Sequence, residues 1–263
     1  LPAQYLHFVG NAIRGNLGTS LTRGRPVVHV LHDVIPNTVL LMGAGLLLGV
    51  CGGIAVGAWQ GSRTSRIARV TEWIGLGVIA TPEYIVASAI LSAFAAAWRL
   101  FPVGGMVTLG VHESMGPLAA ALDVLRHLAL PACTLALIIG AGVARYQRTE
   151  MRVVLAQPFI RTARAKGVPE RRVLTRHALR NALGPVIALC GLLLPSLVGG
   201  AVFVEAIFAW PGMGRAMVDA VTGRDYPLAI GAVMSASVLV TLGSLLADIG
   251  AAMADPRLTR HRS

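Results

Sequence analysis

Residues able to do chemistry are few in this 263-residue chain, and the densest set is cationic. Between Arg145 and Arg180 lie ten of the 23 Lys and Arg residues. Arg161, Arg164, Lys166, Arg171, Arg172, Arg176 and Arg180 sit in a helix-prone segment, 157–183, interrupted by Gly167 and Pro169. The spacing predicts a helix, a glycine turn and a second helix starting near Pro169. Ala163, Ala165 and Ala178 are small enough for close approach to a partner's groove, and the cations offer charge for complementary docking. The residues alone leave two readings: a docking element for a cytoplasmic partner, or a basic loop that only sets topology.

Catalysis has no comparable set. A phosphate-binding loop needs Gly-Lys followed by Ser or Thr, because the lysine reaches the phosphates. The one lysine, Lys166, lies between Ala165 and Gly167, so any ATP must be bound by another polypeptide and no cofactor is expected. The seven histidines are scattered over loops and ends, which gives nickel or other metal ligation no support. Three acids, Glu83, Glu205 and Asp248, fall within or beside apolar stretches. An ionisable group at membrane depth costs about 3 kcal/mol on insertion scales, so each is a functional candidate. Glu83 follows Pro82, which frees a backbone carbonyl, and faces either the substrate path or an interhelical hydrogen bond. Glu205 is placed to meet a substrate amine or to hold a structural interface, and Asp248 to pair with an arginine of a neighbouring helix. Trp210-Pro211-Gly212-Met213-Gly214 reads as a tight external turn that shapes an outer gate.

The elements that must position these groups are membrane helices. The chain is 55% hydrophobic and 13% charged, with a mean hydropathy of +0.68, whereas a soluble domain is about 25% charged. The expected fold is an all-α, polytopic transmembrane bundle with spans at about 37–59, 73–98, 128–146, 181–205 and 226–254. Trp73 and Trp98 mark the ends of the second span as interfacial anchors. The loops 61–72 and 145–180 and the tail 255–263 carry 16 basic residues against seven elsewhere, which places them and the C-terminus inside. The net charge of +11 is thus explained by topology, and nucleic acid is not implied. Cys51, Cys133 and Cys190 read as small core residues without disulfide or metal spacing. Five spans leave residues 1–36 outside, either as a surface helix with Leu6, Val9, Ile13 and Leu17 on one face or as an ordered loop. That location calls for an upstream helix to carry the segment across.

Phe159-Ile-Arg-Thr-Ala-Arg-Ala-Lys-Gly-Val-Pro-Glu-Arg-Arg-Val-Leu-Thr-Arg-His-Ala-Leu-Arg-Asn-Ala-Leu183 resembles the EAA-type cytoplasmic loop of ABC-importer permeases, in the form of the dipeptide/oligopeptide/nickel branch. Ala163 and Gly167 take the motif's second alanine and its glycine, while Arg161 and Arg180 replace its leading acid and closing proline. Gly15 to Val27 resembles the family's external segment, Phe203 to Gly214 its signature after the penultimate helix, and Asp248 with Asp255-Pro-Arg257 its end. The resemblance implies a bacterial inner-membrane permease subunit with a cytoplasmic C-terminus. It also implies a second permease, two cytoplasmic ATP-binding subunits, an external substrate-binding protein and membrane lipid as partners. ATPase coupling falls to Arg161, Ala163, Arg164, Lys166, Gly167, Arg171 and Arg172, and the outer gate to Trp210, Pro211, Gly212 and Gly214. The implied substrate is a dipeptide or oligopeptide, or nickel or another solute of the same family, and an ion-coupled secondary transporter is the rival. The family's first helix has no counterpart in the chain.

Overall fold

Four of the five expected apolar stretches are unbroken helix in the computed structural model and the fifth, 73–98, is helix interrupted at Thr81-Pro82; the structure describes residues 9–12 and 14–254, with the side chains of 188–200, 246–248 and 250–254 outside the description. The helices are α1 (Val27–Ser62), α2 (Arg66–Ala80), α3 (Glu83–Leu91), α4 (Pro117–Leu155), α5 (Pro158–Ala165), α6 (Glu170–Arg172), α7 (Arg180–Ile207), α8 (Met213–Thr222) and α9 (Tyr226–Ala254). Wider π-helical turns at Ser92–Ala97 and Val173–Leu179 extend α3 and lead into α7. One isolated antiparallel bridge, Thr19 to Pro26, is the β feature among the described residues. Leu47, Ile67, Trp73, Trp98, Val238 and Leu242 are exposed. Large apolar side chains turned outward on helices of this length suit lipid as the surrounding solvent. The fold is an all-α transmembrane bundle.

Three expected boundaries differ. α1 starts at Val27 instead of 37 and keeps Pro36 in its interior. α4 passes 128–146 at both ends, and its 39 residues, at about 1.5 Å each, outrun a hydrocarbon core of about 30 Å. The single span expected over 73–98 is a bent pair, α2 and α3 turning through 112°. Pro82 explains the bend, because it drives Thr81 out of the helical region (φ −92°, ψ 131°). The Thr81 hydroxyl then donates to the Gly77 carbonyl at 2.7 Å, which satisfies a helix-end acceptor.

The chain forms two compact units, the first from Leu1–Gly43, Ala87–Pro131 and Leu197–Thr241, the second from Ala44–Val86, Ala132–Ser196 and Leu242–Ser263. In the first, Val27, Val30, Leu31 and Val34 of α1 pack with Met213, Ala216 and Ala220 of α8 and Leu228 and Ala232 of α9. Residues 14–26 form an ordered loop held by Asp225, which accepts from the Ser20 hydroxyl at 2.5 Å and from Thr22 N–H and Oγ at 3.0 and 2.8 Å. Burial alone would raise the Asp225 carboxyl, but these hydrogen bonds outweigh it and hold the group far below the usual carboxylate range. Residues 9–12 are helical, while Leu6 and Ile13 of the expected amphipathic face lie outside the described residues.

In the second unit a series at four-residue spacing joins α1 to α4. A Cβ added at Gly45, Gly49, Gly53, Gly57 or Gly61 would press on Leu135, Ile139, Val143, Gln147 or Met151 respectively. Small residues at this spacing let two membrane helices meet backbone to backbone. Cys51 and Cys133 are free and exposed, so the core reading fails for both, and the Cys190 side chain lies outside the described residues.

Candidate functional site

The cationic segment folds as its glycine and prolines dictate. Pro158 occupies the first turn of α5, where its absent N–H costs nothing. Gly167 closes the helix at φ +76°. Its N–H donates to the Arg164 carbonyl at 2.9 Å and that of Val168 to the Ala163 carbonyl at 3.2 Å. This pair of bonds is a Schellman cap, which needs a left-handed residue at its centre. Arg164 bridges the turn with a two-pronged hydrogen bond to Glu170, at 3.1 and 2.7 Å. The fork holds the Glu170 carboxyl below its ordinary value and raises Arg164.

The segment has two faces. Ile160, Ala163, Val173, Ala178 and Ala182 are buried against Met151 of α4, with Val154 and Leu155 beside them. Arg161, Lys166, Gly167, Arg171 and Arg172 are exposed, as is Ala165. Among the described residues, those four cations have no carboxylate partner within ion-pair distance. Two expectations are corrected here. Ala163 and Ala178 are small because they fit the segment's own core, and they present nothing to a partner's groove. Arg164 is engaged within the turn.

The Trp210–Gly214 turn is built around Glu205. That carboxylate is fully buried, accepting from the Thr38 hydroxyl at 2.7 Å and the Arg215 N–H at 3.0 Å. The Thr38 oxygen in turn accepts from the Met213 N–H at 2.7 Å. Trp210, also fully buried, donates from its indole to the Asn37 carbonyl at 2.9 Å, and Asn37 donates to the Pro211 carbonyl at 2.9 Å. A Cβ on Gly212 would fall on the Glu205 carboxylate, and one on Gly214 would meet the Val202 backbone at 2.7 Å. Glu205 therefore clamps α1, α7 and the start of α8 together, and its place in a substrate path is withdrawn because every face of it is covered. Ala209, at φ +49°, makes the reversal after α7. No sequence signal marked it, since alanine rarely adopts that conformation.

Glu83 opens α3 just after the bend, half-buried, with no side-chain hydrogen bond among the described residues. The interhelical bond considered for it is not formed there. Asp248 lies outside the described side chains. Missed altogether was a cluster around Asp123, which accepts from Thr108 N–H and Oγ at 2.8 and 2.7 Å and contacts His112 Nδ1 at 2.8 Å. It ties the 99–116 segment to α4.

Comparison with known proteins adds identity to this geometry. The oligopeptide transport system permease protein AppB of Bacillus subtilis (strain 168) is 41% identical over 260 residues, covering 97% of this chain and 79% of that protein. The oligopeptide permease OppB of Mycobacterium tuberculosis is 40% identical over 262 residues, 97% of this chain and 80% of that one. The dipeptide permease DppB of Escherichia coli (strain K12) is 33% identical over 276 residues, 98% and 81%. Among solved structures, an inward-facing MetNI methionine ABC transporter superposes with a TM-score of 0.68 at 15% identity, covering 86% of this chain and 96% of that one. At that identity the likeness speaks for the fold. Residues 49–260 match the family described as binding-protein-dependent transport system inner membrane component. An all-α membrane bundle with a capped basic hairpin, relatives this similar along nearly its whole length, and a match over 49–260 make the chain a member of that family of ABC-importer membrane subunits.

Proposed function

We propose that the chain forms the translocation pathway of a peptide ABC importer and receives the work of separate cytoplasmic ATPases through the exposed face of 157–183. The observation that carries this reading is the two-faced hairpin. Its apolar side is locked to α4 and α7, while Arg161, Lys166, Arg171 and Arg172 stand outward without carboxylate partners among the described residues. Unpaired cations on a rigid surface suit an acidic partner groove. The names of the relatives favour dipeptides or oligopeptides. The 16-to-seven split of basic residues favours a cytoplasmic hairpin and C-terminus. The second permease and external binding protein are the partners this assembly requires. Alternating access follows if ATP closes the ATPases and the helices respond, which needs differential affinity for the two states.

The test is reconstitution of the full assembly in proteoliposomes. ATP-dependent uptake of a labelled peptide, with binding-protein-stimulated hydrolysis, is expected. Uptake that follows an ion gradient without ATP refutes the reading. Arg171→Glu with Arg172→Glu should lower ATPase co-purification, more at low salt than at high salt, because exposed pairs are screened. Ala165→Trp adds bulk to the exposed face without entering the hairpin core, and should lower uptake while the subunit stays folded.

A further inference from the structure

Two adjoining cavities in the second unit differ in chemistry. One is a half-open cleft of about 640 Å³ between α1, α2 and α4. Its walls are mainly apolar, with Leu48, Val56, Ile74, Ile79 and Leu137 among them. The other, about 280 Å³, is walled by Arg63, Arg69, Arg148 and Arg152 with Thr64 and Ser65. Gln60, Glu72 and Arg148 line both, so the apolar cleft and the basic cavity adjoin at the Glu72–Arg148 pair.

The charges are unbalanced. Glu72 is the one acid lining either cavity, and Arg148 pairs with it. Arg63, Arg69 and Arg152 have no carboxylate within ion-pair distance among the described residues. The Nε of Arg148 is buried without a hydrogen-bond partner. α2 begins here with Ser65 as its cap, which turns the positive end of a 15-residue helix toward the same space. A group with several acceptor oxygens and negative charge would complete it.

The cleft supplies the other half. Along α1 it runs from Leu48 to Gln60, about 18 Å at the helical rise, a little more than half of a hydrocarbon core of about 30 Å. That is the depth of one leaflet. A free phosphate would leave the cleft without an occupant, and a peptide would bring backbone polar groups that its apolar walls cannot satisfy. We infer that these cavities form a binding site for one anionic phospholipid, with its phosphate among Arg63, Arg69 and Arg152 and an acyl chain in the cleft. This goes beyond the transport reading and rests on the membrane fold. The proposed orientation puts the headgroup in the cytoplasmic leaflet, where anionic lipid meets basic side chains. Bound there, the lipid wedges α2 against the α1–α4 pair.

The experiment uses the assembled transporter in nanodiscs of phosphatidylcholine with or without phosphatidylglycerol, and retained lipid is read by native mass spectrometry. Gly75 lines the cleft, and a Cβ there meets nothing within 4 Å, so Gly75→Leu starts from open space and narrows the cleft. Gly77 is equally unobstructed but off the cleft, so Gly77→Leu is the control. Wild type should retain phosphatidylglycerol and release phosphatidylcholine. Arg69→Gln with Arg152→Gln should lower retention roughly 30-fold, given the usual contribution of an arginine near an anionic headgroup. Gly75→Leu should lower it too, and Gly77→Leu should leave it unchanged. Equal retention of the two lipids, or retention unmoved by Gly75→Leu, overturns the site. If Gly75→Leu shifts the peptide KM or separates the permeases at unchanged retention, the occupant is substrate or a partner helix and the assignment falls. Lipid retention is read without transport, so failure of the peptide reading would leave this result distinguishable.

Discussion

Neighbouring glycines of α1 should respond unequally to the same substitution. Gly52 and Gly53 are adjacent in one helix, so Gly→Ala at either gains the same helix propensity, about 1 kcal/mol. At Gly52 the new methyl meets nothing within 4 Å. At Gly53 it would lie 2.7 Å from Val143 Cβ, 2.8 Å from the Gly140 carbonyl oxygen and 2.9 Å from Val143 Cγ1. Ordinary contact begins at 3.4 Å, so α1 and α4 must separate by several tenths of an ångström. Overpacking of this kind costs about 1–3 kcal/mol. Gly52→Ala is therefore expected to be neutral or stabilising. Gly53→Ala should sit below it by about 1–3 kcal/mol, the full overpacking cost, since propensity cancels between them. Reversible unfolding of the purified transporter in mixed micelles, followed by tryptophan fluorescence, measures the difference. Val143→Ala, which truncates a fully buried side chain, should cost less in the Gly53→Ala background than alone, because it also relieves the overlap. A difference between the two alanine variants below about 0.5 kcal/mol, the ordinary scatter of surface substitutions, would refute the backbone-contact account of this seam.

Glu205→Ala would strip acceptors from the Arg215 N–H and the Thr38 hydroxyl inside the protein. A stability loss of about 3 kcal/mol is expected, with an unchanged peptide KM in whatever fraction folds; a raised KM at full stability would restore Glu205 to the substrate path. Gly167→Val forces a branched side chain into φ +76°. It should cost about 1–2 kcal/mol locally and lower ATPase co-purification, while Gly167→Asn is better tolerated. Asp225, held low in the folded chain, stabilises the 14–26 loop fully above the ordinary carboxylate value, and that contribution fades as pH falls below it. Limited proteolysis of this loop should accelerate on acidification, and in Asp225→Asn the cutting should be faster at neutral pH and less dependent on acidification.

What the residue order disclosed was local. Gly167 and Pro169 stand beside the turn they cause, so the hairpin could be read from spacing. Trp73 and Trp98 are exposed, but the single span whose ends they were expected to mark is a bent pair. The role of Glu205 was not legible, because its clamp closes through Thr38, 167 residues away. The smallness of Ala163 was visible, yet its direction was set by Met151 and Val173 folding over it. Hydropathy averaged across Thr81-Pro82 concealed a 112° turn, since apolarity carries no direction. The four-residue glycine series was present in the string, but its meaning depended on α4 arriving opposite with Leu135, Ile139, Val143, Gln147 and Met151 in the same spacing.

The two-faced hairpin also bears on how such a subunit can diverge. Arg161, Lys166, Arg171 and Arg172 are exposed and stand apart from the hairpin's buried core, which is made by Ile160, Ala163, Val173 and Ala178. If the outward cations dock the ATPase as proposed, recognition and foldability are written on separate residues of one short segment. A duplicated copy of this chain could drift toward a different ATPase by exchanging outward charges one at a time, each step leaving a soundly folded intermediate.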